Sequence, residues 1–186
     1  MTHSILKADD LLLRLLRDTQ EDYALLSRWL SDERVLEFYE GRDNPFDLAK
    51  ARAKFAPYAQ GRDRVVSCIL EHAGRPLGYV QFYPLVQDEA HQYGLAAIDR
   101  VYGVDLFIGE PALWNRGLGT KALSALTHYL FQVRNAKSVV IDPQVTNARA
   151  IRSYEKCGFR RVKVLPKHEM HEGELRDCLL MIKDVP

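Results

Sequence analysis

The chain has 186 residues, about the length of one domain, with hydrophobic residues at 47% and charged residues at 27%; that balance excludes disordered, collagen-like and coiled-coil chains. The 26 Lys and Arg against 25 Asp and Glu give a net charge of +1, without the basic footprint of a general nucleic-acid binder. The three cysteines, Cys68, Cys157 and Cys178, match neither a disulfide framework nor a zinc knuckle and suit a reducing compartment. The longest early apolar run, Leu11 to Leu16 broken by Arg14, is too short for a membrane span and lacks the flanks of a secretory signal. A cytoplasmic protein that engages neither membrane nor nucleic acid is expected.

Residues 1–9 read as a loose leader to one domain over 10–186. Leu11 to Leu16 reads as a strand. Asp18 and Thr19 are N-cap residues for a helix whose apolar face is Tyr23, Leu25, Leu26, Trp29 and Leu30. A second short helix is placed over 32–39, a loop at Gly41 to Pro45 and a helix over Asp47 to Phe55. Strands follow at Arg64 to Leu70 and Leu77 to Tyr83 around the turn Ala73-Gly74-Arg75-Pro76. Residues 85–98 read as a polar insertion, and Val101 to Ile108 as a further strand. The pattern then alternates: a helix over Gly117 to Val133, a strand at Ser138 to Ile141, and a helix from Asn147 to Cys157 stopped by Gly158. Strands at Phe159 to Leu165 and Asp177 to Ile182 flank a charged hairpin. The expected class is α/β, of the α+β mixed-sheet kind, with helices flanking one central mixed sheet in the order β-α-α-β-β-β-α-β-α-β-β.

The strongest chemical signal is Asn115-Arg116-Gly117-Leu118-Gly119-Thr120-Lys121 between a strand and a helix. Two glycines let the backbone approach a ligand, and the helix N-terminus offers free N–H groups to an anion such as pyrophosphate. Arg116 and Lys121 would add mobile positive charge. The fragment alone reads equally well as a turn that merely starts a helix. It is neither a Walker A loop nor a dinucleotide fingerprint, because the required spacings are missing. Downstream, Asn147 and Tyr154 are two helical turns apart and share a face. Asn147 can cap the helix or reach a ligand. Tyr154 can pack or place its hydroxyl beside a leaving group. Taken alone, capping and packing are favoured.

Together the two segments resemble the GNAT acyltransferase superfamily. Gly117-Leu118-Gly119-Thr120 matches its acyl-CoA loop, and Asn147, Ala150, Ile151 and Tyr154 to Phe159 match its second signature. Trp114 stands where that family often carries Gln or Arg, so the implied phosphate contacts are those of the backbone. A narrower similarity, to the aminoglycoside 6′-N-acetyltransferases, rests on Trp29 to Tyr39, Tyr102 to Pro111, Asp142-Pro143 and Leu165 to Gly173. It implies a GNAT fold and acetyl transfer from acetyl-CoA to the 6′-amine of a polycationic aminoglycoside, an antibiotic-resistance activity. The expected co-substrate contacts are Phe107, Ile108, Arg116, Gly117, Leu118, Gly119, Thr120, Lys121 and Asn147. The expected acceptor contacts are Glu37, Tyr39, Asp99, Tyr102, Asp105 and Asp142. Asp105, Asp142 and Tyr154 are the expected catalytic residues, with no metal, in a monomer or homodimer.

Charge complementarity makes a cationic acceptor sensible, because Asp99, Asp105, Glu110 and Asp142 fall near the acyl-CoA loop. The cations Arg149, Arg152, Lys156, Arg160 and Arg161 are expected to cluster elsewhere. Asp105 interrupts the apolar run Val104 to Ile108, where an unpaired charge is costly. It is expected to titrate well below neutrality. Direct transfer in a ternary complex is expected, with Asp105 and Asp142 taking the amine proton. Backbone N–H groups of Leu106, Phe107 and Ile108 would polarise the thioester, and Tyr154 would protonate the leaving thiolate. Cys157 reads as a buried thiol at a helix end. His168 and His171 read as exposed hairpin residues, their spacing of three with no third ligand being a weak metal signal, and Glu169, Glu172, Glu174 and Asp177 as a solvated face, with a rim to the cationic acceptor's site as the lesser alternative. The alternatives are a GNAT acetylating another amine, in siderophore synthesis or at a protein N-terminus, and a non-catalytic acyl-CoA sensor. Asp105 and Tyr154 speak against the sensor.

Overall fold

The strands run, in chain order, β1 (Ser4–Ala8), β2 (Leu11–Leu15), β3 (Val66–His72), β4 (Arg75–Pro84), β5 (Val101–Ile108), β6 (Ser138–Ile141), β7 (Arg160–His171) and β8 (Glu174–Asp184). They hydrogen-bond into one sheet in the order β1-β2-β3-β4-β5-β6-β8-β7. The computed structural model describes residues 4–96 and 98–186. Residues 1–3 of the expected leader and residue 97 of the expected insertion lie outside the described residues. The helices are α1 (Gln20–Trp29), α2 (Glu33–Leu36), α3 (Leu48–Ala59), α4 (Gln87–Tyr93), α5 (Leu118–Gln132) and α6 (Ala148–Lys156). Among the described residues no helix is long and apolar enough to cross a membrane.

Side-chain caps fix the helix starts. The side chains of Thr19, Asp32, Asp47 and Asn147 accept from the backbone N–H groups of Asp22, Arg34, Lys50 and Ala150 at the starts of α1, α2, α3 and α6. α1 is tied to β2 by Asp22, wholly buried, which accepts from Arg14 at 2.6 and 2.9 Å and from Arg17 at 2.7 Å.

Alternation along the strands sends side chains to opposite faces of the sheet. Cys68, Leu70, Val80, Phe82 and Val104 pack under Leu123, Leu126 and Leu130 of α5 and Ile151 of α6. Ile69, Tyr79 and Phe107 face the other way, under Leu26, Trp29 and Phe55 of α1 and α3. The sheet is antiparallel except where β5 runs parallel to β6, and that pairing covers only Val101 to Gly103 against Ser138 to Val140. Beyond Gly103, β5 continues to Ile108 with β4 alone as partner. The sheet therefore splits between Asp105–Ile108 and Ile141–Asp142.

Three expectations need correction. The leader is an edge strand over Ser4–Ala8, paired antiparallel with β2. The polar insertion contains α4, closed by Gly94 in the left-handed conformation. The charged hairpin is a continuation of β7 and β8, which pair out to His171 and Glu174. Its tip docks on the loop after α2: Arg42 donates to Glu172 at 2.7 Å, and His171 Nε2 lies 2.9 Å from the Glu37 carbonyl oxygen. His171 is buried rather than exposed, because that carbonyl replaces water as its partner.

Candidate active site

The split in the sheet opens a cleft of about 880 Å³. It is floored by Leu106 to Ile108 on one side and by Ile141 to Gln144 on the other. The antiparallel ladder decides which backbone groups reach it. The Gly109 N–H bonds the Leu77 carbonyl on β4, and Phe107 lies in register with Tyr79. By alternation the N–H and C=O of Leu106 and Ile108 turn toward the gap, while those of Phe107 turn to β4. Phe107 therefore contributes its side chain, stacked on Tyr79 at 5.6 Å, and not its N–H. The Ile108 carbonyl is taken by the indole N–H of Trp114 at 2.8 Å.

One end of the cleft is anionic. Asp105 accepts from Gln81 Nε2 at 2.7 Å, Gln81 accepts from the Tyr79 hydroxyl at 2.8 Å, and that hydroxyl lies 2.6 Å from Ser67 Oγ. This chain crosses β5, β4 and β3 because Asp105, Gln81 and Ser67 are in register. Burial pushes the Asp105 carboxyl up to about 6, with the Gln81 hydrogen bond opposing and the Asp142 charge reinforcing the shift. The expectation of titration well below neutrality is thus corrected: desolvation outweighs the hydrogen bond. Asp142 ends β6. Its Oδ2 accepts from the Tyr93 hydroxyl at 3.0 Å and lies 3.0 Å from His168 Nε2. Glu40 and Glu169 line the same region.

The other end is built from two helix N-termini. Gly117, at φ +75°, turns the chain into α5, a backbone conformation that glycine adopts without strain. The Lys121 N–H closes the first helical bond to the Gly117 carbonyl, which leaves the N–H groups of Leu118, Gly119 and Thr120 without helical partners. A Cβ on Gly119 would meet only Ile108, at 3.8 Å. Thr120 Oγ1 bonds Ser153 Oγ at 2.7 Å, which fixes α6 beside α5. Arg149, Arg152 and Lys156 of α6 line the cleft here, and the Arg149 guanidinium stacks 3.9 Å over the Trp114 ring. These cations belong to the cleft and do not cluster elsewhere. Arg160 and Arg161 do lie apart, paired with Asp184 and Glu155. Tyr154 is buried and lines the cleft, and burial holds its phenol well above the usual tyrosine range.

The cleft brings together Asp105, Asp142, Tyr154, Tyr39, Phe107, Ile108, Gly117, Leu118, Gly119, Thr120 and Asn147 among the sequence-selected residues. Five fall outside its lining. Lys121 is held by Asp9 and Asp10 at 3.2 and 2.6 Å, and Arg116 and Glu37 are exposed. Asp99 pairs with Lys137 at 2.5 Å at the far end of β5. Tyr102 packs against Phe82 on the α5 side of the sheet. Glu110 is also committed elsewhere, to Arg28 and Trp29. Gln81, Tyr93 and His168 carry no motif. The strand alternation that placed Asp105 could have found Gln81 opposite it. His168 lies in the half of the hairpin read as exposed. Among the described residues no three His, Cys, Asp or Glu are placed to hold a metal ion.

Residues 18–166 match the acetyltransferase (GNAT) domain family. The chain is 31% identical over 153 residues to the aminoglycoside N(6′)-acetyltransferase type 1 of Klebsiella pneumoniae, covering 82% of this chain and 75% of that one. Among solved structures, AAC(6′)-Ib in complex with ribostamycin and coenzyme A is similar at 27% identity with a TM-score of 0.76, covering 95% of this chain and 94% of that one. AAC(6′)-Ib with coenzyme A and kanamycin is similar at 26% identity with a TM-score of 0.73, covering 94% of each.

Proposed function

The chain belongs to the GNAT acetyltransferase family, and on that premise we propose that it acetylates the 6′-amine of aminoglycosides with acetyl-CoA, in the cytoplasm, as an antibiotic-resistance enzyme. The observation that carries this reading is the division of one cleft into an anionic end, with Asp105 and Asp142, and an end of unpaired helix N–H groups and cations. A polycationic acceptor suits the first and a pyrophosphate suits the second. The relatives named above act on, or are bound to, ligands of these two kinds.

The residues fit the co-substrate. The N–H groups of Leu118, Gly119 and Thr120 would hold the pyrophosphate, and the open space at Gly119 lets it approach the backbone. Arg149, Arg152 and Lys156 would balance phosphate charge. The N–H groups of Leu106 and Ile108 would bind along the gap and polarise the thioester carbonyl. Asn147 caps α6 and so fixes the start of the helix that carries Tyr154.

Transfer would be direct, with one cleft to hold both substrates side by side. Asp105, titrating near 6, takes the amine proton, directly or through water. Asp142 orients the ammonium. The acceptor nitrogen forms its bond to the acetyl carbon as the C–S bond breaks. Tyr154, a phenol kept protonated by burial, gives its proton to the departing thiolate. The proton on Asp105 passes to solvent and the Tyr154 phenolate recovers one from it, so the sum is amine plus thioester to amide plus thiol.

Thiol release from acetyl-CoA, followed with kanamycin and in parallel with a peptide bearing a free N-terminus, tests the reading. Saturable release with kanamycin and background release with the peptide are expected. The reverse order of the two rates would overturn it.

A further inference from the structure

Tyr79 is wholly buried among the rings of Tyr39, Phe55 and Phe107, yet it carries a hydroxyl where a plain phenyl ring would avoid the cost of burying a polar group. That hydroxyl donates to Gln81 Oε1 at 2.8 Å and lies 2.6 Å from Ser67 Oγ, and Gln81 Nε2 donates to Asp105 Oδ2 at 2.7 Å. Tyr79 has one hydrogen to give and Gln81 takes it, so Ser67 donates to Tyr79. The three side chains therefore form a one-way chain of donors that ends on the Asp105 carboxylate. Turning the Gln81 amide round would set its oxygen against Asp105 and its nitrogen on Tyr79. Tyr79 would then donate to Ser67. The hydrogen of Ser67, a residue 3% exposed, would lose its one acceptor among the described residues, a costly change for a buried donor.

An amide N–H aimed at a carboxyl group favours its ionised form, whereas an amide oxygen in the same place accepts from the acid and favours that form instead. The direction of the chain, set at its buried end, thus bears on whether Asp105 is free to take a proton. Building on the role of Asp105 proposed above, we infer that Tyr79, anchored by Ser67, is a positioning residue that holds the Gln81 amide with its N–H toward Asp105 and so keeps the base ionised. Asp105 is also subject to the carboxylates of Asp142 and Glu169, the hydroxyl of Tyr83, and the phenols of Tyr39, Tyr58, Tyr93 and Tyr154. Replacing Tyr79 by Phe, or Ser67 by Ala, leaves all of these groups unchanged.

The test reads one titration in two ways on the natural protein, Tyr79→Phe, Ser67→Ala and the double variant. The first is the carbon NMR shift of the Asp105 carboxyl, assigned by its loss in Asp105→Asn. The second is the pH profile of kcat/KM for kanamycin. Each single substitution should move both titrations upward by about half a pH unit to one unit, the scale of one hydrogen bond. The double variant should go no further than the larger single shift, because the two residues act through one link. The KM for acetyl-CoA should hold. A lowered Tm with an unmoved or lowered carboxyl titration would mark a purely structural pair and overturn the inference. So would shifts that add in the double variant. Ser67→Ala, which leaves the packed rings intact, carries the test if Tyr79→Phe fails to fold. A shifted carboxyl with an unmoved pH profile would uphold the chain and overturn Asp105 as the base. If the natural protein leaves kanamycin untouched, the failure belongs to the proposed acceptor, and the carboxyl titration alone decides the Tyr79 assignment: an upward shift upholds it and no shift overturns it.

Discussion

His168 Nε2 lies 3.0 Å from Asp142 Oδ2, with the side chains 18% and 20% exposed, so a histidine from the long hairpin braces a carboxylate at the end of a central strand. The hydrogen bond to Asp142 raises the His168 pKa, and burial only partly opposes it. A group whose folded pKa is raised stabilises fully below its unfolded value, about 6.5 for histidine, and loses that contribution as pH rises through the folded value. His168→Asn should therefore lower Tm more at pH 6 than at pH 9. Thermal melts at the two pH values check this, and equal shifts would remove the charged pair from the explanation.

Asp105 is the proposed base, and its titration near 6 sets the pH window. kcat/KM for kanamycin should rise as pH increases through about 6 and then level off as the carboxylate becomes fully ionised. Asp105→Asn should cost about 10²–10⁴-fold in kcat, the usual scale of general base catalysis. A mainly raised KM for kanamycin would instead mark a positioning role.

Gly119→Ala separates ligand from fold. The added methyl meets nothing nearer than Ile108 at 3.8 Å, so Tm should hold to within a degree or two, as for a small change in a helix. If a pyrophosphate rests on this backbone, the KM for acetyl-CoA should rise about tenfold or more, a cost of about 1.4 kcal/mol. Calorimetric titration with coenzyme A reads the effect directly.

Asp142→Asn keeps shape and removes charge. Its effect should fall on the KM for kanamycin and spare that for acetyl-CoA. The loss should be larger at low ionic strength, because salt already screens a partly exposed carboxylate. A salt series on the natural protein and the variant measures it.

Much of this was legible because local chemistry fixed it. The caps at Thr19 and Asn147 and the alternation of Val101 to Ile108 set the helix starts and the face on which Asp105 lies. The glycine loop and the Asn147 to Phe159 segment located both helices at the cationic end. The misplacements came from tertiary pairing, which neighbouring residues do not encode. Lys121 reads as a phosphate ligand until β1 and β2 bring Asp9 and Asp10 against it. Arg149 reads as a remote cation until Trp114 stacks beneath it. His168 reads as exposed until β7 runs on past Leu165 and carries it to Asp142. The pKa of Asp105 depends on burial in a gap that exists only because β5 and β6 part after Gly103.

The position of the acetyl group on kanamycin bears most directly on the proposed activity. Two-dimensional NMR of the product formed with acetyl-CoA should show one new amide, on the 6′ nitrogen, and none on the other amines. An acetyl group on any other nitrogen, or kanamycin recovered unchanged, would contradict it.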